Sequence, residues 1–470
     1  MGMASADMAT VRVKPHCEAN DAFAALVPSG LISPYAAKRQ SMPRLVIVDP
    51  GHSGSVGHHG EVNRTLLAAL QAGGWRPELW ADVALEAEPP LRVSAGRVRG
   101  VFSGCGYEDP RQWSELGGMV LLARRLQQQL DLASSDPHKE PVGAWLAHSL
   151  LPFQLLGLAR HLAMVPAAAV LLSLMFPPQE TLELAAGLDP LQANERAAGN
   201  TRVALAALAR ACRQQGHRLT LAFPSCQQQE LYAPLLAATG LCSAGFHPAV
   251  VGAGCTPEPG PGEAPPLVLL HWGDHKPGKG RDEALAVLQA LLEQPVPAQL
   301  RGWGWLFQVH GHKPLPELER SLLQRAEAAG VGLVVLRGEV ESSAMAHWLA
   351  RCPLALLAYD PQRYRHRSSG MLWQWAAARA ALELQAAAVG YGDNWLATEA
   401  TAMGLCWHSV GGPPGDMNSA DGASWLAALA KAASDLPIRA QWTNYGHAVL
   451  GERFGEWCLS RLSTPAKTID

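Results

Sequence analysis

Short apolar runs alternate with longer amphipathic stretches along most of the chain. Residues 45–48 (LVIV) form a β-branched run of strand length that breaks into 49–60 (DPGHSGSVGHHG), a loop with four glycines. Residues 61–72 then place Val62, Leu66, Leu67 and Leu70 on one helical face, Gly73-Gly74 ends the helix, and 77–81 (PELWA) reads as the next strand. This is a βαβ opening whose loop sits at the carboxyl end of the first strand, where open α/β sheets bind ligands. The glycine spacing is not G-x-G-x-x-G, so it carries no dinucleotide fingerprint.

The alternation continues with helices over 119–132, 152–162 and 194–215 and strands over 142–147, 167–174 and 219–223. Residues 252–266 (GAGCTPEPGPGEAPP) interrupt it with the composition of a linker. A second series follows, with strands at 267–271, 306–310, 331–336, 353–358 and 387–391. Its helices fall at 281–293, 315–329, 342–350, from 371 through the run MLWQWAAARAALELQ, and at 395–404. The expected fold class is therefore α/β, with two Rossmann-like parallel-sheet domains joined near residue 260. Residues 1–41 have no clear period and read as a disordered extension ahead of a stronger start at Met42.

A chain of 470 residues exceeds one ordinary core, in agreement with two domains. With 17 % charged residues and a net charge of −3 it has no electrostatic bias toward nucleic acid. The nine cysteines are scattered and form no C-x-x-C pair, which excludes a zinc ribbon or disulfide framework and fits a reducing cytoplasm. Residues 150–176 are very apolar, but Pro152, Arg160, His161 and Pro166 cut them below the roughly 20 residues of a membrane span. The pattern allows peripheral membrane contact and no span.

Candidate chemistry concentrates in two places. In the second half, Arg363, Arg365, His366 and Arg367 precede Ser368-Ser369-Gly370 at a helix start. Free N–H groups, the positive end of the helix dipole and fixed cations together suit a phosphate or diphosphate. Paired serines before a helix are also ordinary N-caps. In the first half, His52, His58, His59 and Glu61 sit on the glycine loop, and His148 ends a strand. A histidine there can take a proton from an acceptor hydroxyl or hydrogen-bond a sugar. Adjacent side chains point different ways, so one of His58 and His59 packs or caps, and His59 is the one expected in the cleft. His310 and His312, at a second-half strand end, rank behind these.

The two loops WGDHKPGKG (272–280) and YRHRSSGM (364–371) together resemble the nucleotide-sugar-binding domain of GT-B glycosyltransferases, especially the glycogen-synthase-like group. Gly273, Lys279 and Gly280 match its "G-x-x-x-x-x-K-G", with Lys276 as the alternative cation. Ser369 and Gly370 match the pair that grips the donor diphosphate. The first-half loop through Gly57 and the stretch 442–462, similar to a final helix crossing back to the first domain, extend the resemblance to about residues 44–465.

The resemblance implies an acceptor domain at 42–260, a nucleotide-sugar domain at 261–440 and a returning helix at 441–470. It implies transfer of a hexosyl group from a UDP- or GDP-linked donor to a hydroxyl acceptor (glycan, glycolipid or small molecule), with retention. No metal and no cofactor beyond the donor is implied. The donor contacts would be Gly57, Gly273, Lys279, Gly280, Arg365, Arg367, Ser369 and Gly370, and the catalytic residues His59, His148 and Arg367. Cations at the diphosphate stabilise charge that builds up as the glycosidic bond breaks, and closure about the residue-260 linker would exclude water. The group's two glutamates near this loop are missing: their positions fall near Arg367 and near Gln374 or Trp375.

Two rival readings follow from the same residues. Residues 46–54 (VIVDPGHSG) resemble the opening of zinc-dependent N-acetylmuramoyl-L-alanine amidases, with His52 and Glu61 as zinc ligands. That family's downstream Ser-x-His-Ala-Asn-like motif is absent; His148 stands in AHSL. The missing acidic pair prompts the other, a non-catalytic GT-B-like module that binds a nucleotide sugar or polysaccharide.

Overall fold

A computed structural model describes residues 42–463 except 55–57, 88–96, 109, 136–139, 179–189, 252–264, 274–277, 310–314, 339, 393, 412–420, 437–441, 444–445, 447–449 and 451–452. Two six-stranded sheets form the frame. The first contains β1 (Arg44–Val48), β2 (Arg76–Asp82), β3 (Arg97–Phe102), β4 (Val142–His148), β5 (Ala169–Ser173) and β6 (Arg218–Ala222) in the order β3-β2-β1-β4-β5-β6. The second contains β7 (Leu267–His271), β8 (Gly304–Val309), β9 (Leu333–Arg337), β10 (Leu354–Leu356), β11 (Ala387–Gly390) and β12 (Cys406–Ser409) in the order β12-β11-β10-β7-β8-β9. Every pairing is parallel. Counted from its own first strand, each sheet runs 3-2-1-4-5-6, the doubly wound Rossmann order.

Strand β1 shows why the apolar runs form strands. Leu45 and Ile47 face Val62, Leu66, Leu67 and Leu70 of helix α1 (His58–Ala72), while Val46 and Val48 lie in the core on the opposite face with Trp80 and Trp145. Both faces are covered, so the run needs no polar alternation. The first sheet is further covered by α2 (Pro110–Trp113), α3 (Leu116–Ser134), α4 (Pro152–Leu162), α5 (Pro190–Gln215) and α6 (Cys226–Thr239). In the second half Val268 and Leu270 of β7 face one core and Leu267 and Leu269 the other. Its helices are α7 (Arg281–Glu293), α8 (Glu317–Ala328), α9 (Ser342–Ala350), α10 (Gly370–Ala380), α11 (Trp395–Met403) and α12 (Gly422–Ser434). Helix α13 (Phe454–Ser463) packs on α1, with Phe454, Trp457 and Leu462 in the core that holds Leu45 and Ile47. No helix among the described residues is long and apolar enough to cross a membrane.

Several elements differ from expectation. Strand β3 was not expected because its half-buried sequence carries Arg97 and Arg99, the latter stacked over Trp80. Edge strand β12 and helices α6 and α12 were missed as well; α6 has polar residues throughout its first turn and Pro234 inside it. Helix α10 stops at Ala380, although helix formers continue to residue 385. Glu383 adopts a left-handed φ of 52°, and the Leu384 amide bonds back to the Arg379 carbonyl at 3.0 Å. Buried Arg379 itself binds the Ala350 and Gln385 carbonyls, which turns the chain into β11. Tertiary pairing overrides helix propensity here. The linker at 252–264 and the 1–41 extension lie outside the described residues.

In each sheet the winding direction reverses between the first and fourth strands, β1/β4 and β7/β10. Loops leaving neighbouring strands diverge there and open a crevice at the carboxyl edge. At β7/β10 the two loops meet again farther out. Lys279 forms an antiparallel bridge with Tyr359, and the Asp360 amide donates to the Gly278 carbonyl at 3.0 Å. Gly280, the residue before α7, has φ 74°, and a Cβ on it would stand 3.1 Å from the Ala358 carbonyl oxygen. Gly280→Ala is therefore expected to cost on the order of 1–2 kcal/mol from the left-handed backbone alone, and more from the contact. Urea denaturation checks this; a midpoint equal to wild type would show that the loops do not close this tightly.

Candidate functional site

The first crevice is built around one buried carboxylate. Asp49 follows β1, His59 lies in the first turn of α1, and His148 ends β4. Asp49 Oδ2 is 2.8 Å from His59 Nδ1 and accepts from Asn63 Nδ2 at 2.6 Å. Asn63, one helical turn after His59, also sends its amide N–H toward His52 Nδ1 at 3.0 Å, while its Oδ1 lies 3.0 Å from His148 Nε2. His148 Nδ1 meets the hydroxyl of Ser149 at 3.2 Å, and Ser149 holds a left-handed φ of 56°. A non-glycine residue kept there is strained, and such strain persists where surroundings fix a side chain in place. The outer nitrogen of His59 meets the Tyr107 hydroxyl at 2.6 Å. Both rings lie over Gly51, where a Cβ would come within 2.9 Å of each, so the glycine of DPGH makes room for them.

Electrostatics follow from burial. Burial alone would raise the Asp49 carboxyl, but His59, His148, the hydrogen bond from His59 and His52 reverse this and hold it well below the usual carboxylate range. Burial pushes His148 down to about 4 despite Asp49, so at neutral pH its ring is uncharged. Partial burial, with the Asp49 charge adding to it, pushes the Tyr107 phenol up.

Asp49, His59 and His148 present ligand-type atoms within 4.8 Å of one another, so they are the described residues able to close on a metal ion. The amidase-like pair differs: Glu61 is salt-bridged to Arg64, and His52 faces Asn63. As the hydrogen bonds stand, Asn63 Oδ1 receives the His148 Nε2 proton, so metal binding there would require Asn63 to yield.

The second crevice gathers the cations. The Lys279–Tyr359 bridge brings the loop after β7 against the loop after β10, from which Arg365 projects exposed and Arg367 half-buried. Ser369 serves as the N-cap of α10, accepting from the Met371 and Leu372 amides at 3.2 and 3.4 Å, and hydrogen-bonds Tyr359. Its hydroxyl is thus committed to the fold. Open space remains beside Gly370. The Gly273 amide donates to Gln308 Oε1 at 2.8 Å. Gly57, Lys276, His310 and His312 lie outside the described residues, as does the side chain of His58.

One acidic residue does reach this loop, from the next helix. Glu399 of α11 is fully buried, and its Oε1 accepts from Ser368 Oγ at 3.0 Å and from the Trp373 indole at 2.9 Å. Ser368 in turn accepts from the Trp395 indole at 3.1 Å. Burial pushes Glu399 up to about 7, with the bonds from Trp373 and Ser368 opposing. The crevices share a seam: His366 Nδ1 lies 3.2 Å from Gln227 Nε2 of α6, and Trp373 packs with Ala249, Val250 and Phe454. An open cavity of about 680 Å³ has Cys226, Gln227 and Glu230 on one wall and Arg365, Asn394 and Trp395 on the other.

The sequence-derived residues thus fall into two groups, His59 with His148 and Lys279 with Arg365, Arg367 and Gly370. Sequence reasoning missed Asp49, Asn63, Tyr107 and Glu399. Asn63 was findable, four residues after His59 and so on the same helical face. Tyr107 and Glu399 arrive from other elements and leave no local pattern.

Two facing Rossmann-like domains of this order define the GT-B fold. No family model matches the sequence, and no curated protein matches it. Among solved structures it resembles an E. coli trehalose-6-phosphate protein bound with UDP-2-fluoro glucose, at TM-score 0.51 and 13 % identity over 89 % of this chain and 96 % of that one. A UDP-forming α,α-trehalose-phosphate synthase from Burkholderia xenovorans in complex with glucose-6-phosphate gives TM-score 0.53 and 13 % identity over 90 % and 100 %. The Candida albicans trehalose-6-phosphate phosphatase N-terminal domain gives 0.53 and 11 % over 89 % and 95 %. Identities this low establish the shared fold.

Glu399 generates a prediction. Its folded pKa lies near 7, above the ordinary 4.5, so the native state binds more protons than the unfolded one between these values. Stability should therefore fall as pH rises from about 5 to 8. Glu399→Gln should remove that contribution, seen as a flatter dependence of the urea midpoint on pH; equal slopes in both proteins would contradict the burial of a protonated Glu399.

Proposed function

We propose that the protein is a glycosyltransferase moving a hexosyl group from a nucleoside-diphosphate donor to a hydroxyl acceptor. The observation that carries this reading is the meeting of the loops at β7/β10, which joins the loop of Lys279 to the loop that carries Arg365 and Arg367 into the start of α10, with Arg365 on the wall of an open cavity. Charge building on a departing diphosphate is stabilised by such fixed cations and N–H dipoles more than the ground state is. The reading needs no metal. On the other side, His59 is the base for the acceptor proton, Asp49 holds its ring in place, and His148 acts through Asn63 as a positioning residue.

Residues 42–260 would serve the acceptor and 261–440 the donor, with α13 returning to the first. UDP-linked sugars are the first donors to try, because the E. coli relative is bound with UDP-2-fluoro glucose and the Burkholderia relative is UDP-forming. The scattered cysteines and a nucleotide-sugar substrate fit a cytoplasmic enzyme, with peripheral membrane contact if the acceptor is a glycolipid.

Transfer from radiolabelled UDP- and GDP-sugars to a panel of hydroxyl acceptors, sugar phosphates included, tests the reading. Arg367→Ala should lower turnover by about 10²–10³, and an unchanged rate would remove Arg367 from the mechanism. Turnover should persist with a chelator present; stoichiometric zinc in the purified protein would instead assign Asp49, His59 and His148 to a metal. Binding without turnover across the panel would favour a sugar-binding module. The resemblance implies retention, and the product anomer, read by NMR, separates this from the direct displacement that an acceptor-side base also serves.

A further inference from the structure

Tyr107 belongs to no sequence motif, yet its hydroxyl stands 2.6 Å from the outer nitrogen of His59. The inner nitrogen of His59 is held by Asp49 at 2.8 Å, so in the neutral ring Nδ1 carries the proton and Nε2 accepts from the phenol. Exposure orders the chain of groups. Asp49 is buried, the His59 side chain is 16 % exposed and Tyr107 is 52 % exposed. Tyr107 is the most exposed of the three residues. Its ring is fixed on two sides, by the Gly51 backbone beneath it and by the ring of Phe176, whose centroid is 6.2 Å away, edge to face. The phenol O–H donates to His59 Nε2, which leaves the oxygen's lone pairs free to accept a proton.

We infer that Tyr107 is the group the acceptor hydroxyl meets, and that it relays the acceptor proton to His59; this rests on the glycosyltransferase reading above. In the transfer step the acceptor O–H bond breaks and its proton passes to the Tyr107 oxygen. The phenol proton passes to His59 Nε2, giving an imidazolium against Asp49. The acceptor oxygen bonds the anomeric carbon as the bond from that carbon to the diphosphate breaks, and the electron pair leaves on the diphosphate. The imidazolium returns its proton to solvent through the same phenol once the product departs. Tyrosine suits this place because it keeps the acceptor one group away from the buried Asp49 while leaving proton transfer open.

The test compares wild type, Tyr107→Phe and a protein carrying 3-fluorotyrosine at position 107, each full length, with the donor and acceptor that wild type uses. Phe keeps the ring contacts with Gly51 and Phe176, so the melting temperature and the thermal shift on adding UDP should stay at wild-type values. Its kcat should fall about 10²-fold with the donor KM unchanged. The fluorinated phenol keeps the hydroxyl and the ring contacts and should keep kcat within a few-fold of wild type, and wild type should show a solvent deuterium isotope effect on kcat that Tyr107→Phe lacks. Wild-type kcat in Tyr107→Phe, or a fluorotyrosine protein as slow as Tyr107→Phe, overturns the relay while leaving the glycosyltransferase reading intact. A wild-type protein that transfers no sugar from any donor overturns both. If Tyr107→Phe does not fold, the solvent deuterium isotope effect on wild-type kcat decides, and its absence overturns the relay.

Discussion

The approach of Gly280 to the backbone of Ala358 is the constraint on which the second domain's crevice depends. Strands β7 and β10 are neighbours, and their loops must part at the switch point and then close again for Lys279 to pair with Tyr359. Only a residue without a Cβ that tolerates positive φ fits between them. The first crevice uses the same device at Gly51, where missing atoms let His59 and Tyr107 lie over the turn after β1. In both domains a glycine in the loop after the first strand sets how closely its neighbours approach at the carboxyl edge.

The two crevices differ in charge, and the difference matches the two halves of a group transfer. Around Asp49 the polar atoms are bonded mainly to one another, with a neutral His148 and a protonated Tyr107, an arrangement suited to moving one proton without exposing a charge. The loop that leads into α10 carries Arg363, Arg365 and Arg367, with Arg365 on the cavity wall, an arrangement suited to an accumulating negative charge. The seam ties them together. Glu399 links Ser368 of the basic loop to Trp373, and Trp373 packs among first-domain residues, so loop geometry and domain contact share one buried carboxylate. Where the resemblance places acids in the loop and in α10, this chain brings one from α11.

Much of the fold was legible because buried parallel strands are short apolar runs with glycine loops after them, as LVIV and LVLLH are. Edge strands β3 and β12 were not, because one open side lets polar residues such as Arg97 and His408 stand in them. Residues beside a punctuating motif, His59, Lys279 and Arg365, could be named as candidates from the sequence alone. Ser369 shows the limit of that approach, since its hydroxyl does the ordinary work of a cap. Asp49 stood in the motif but was read past in favour of the histidines, although a carboxylate buried at a strand end needs partners. Tyr107 and Glu399 come from a loop and a helix far along the chain, and only folding brings them in.

Calorimetric titration of UDP and GDP into wild type, Lys279→Ala and Arg367→Ala bears most directly on the central claim that the β7/β10 crevice is a diphosphate site. The account predicts saturable binding of at least one nucleotide to wild type and affinity at least about 10-fold weaker in each variant. Equal affinity in all three proteins, or no binding of either nucleotide to wild type, would contradict it.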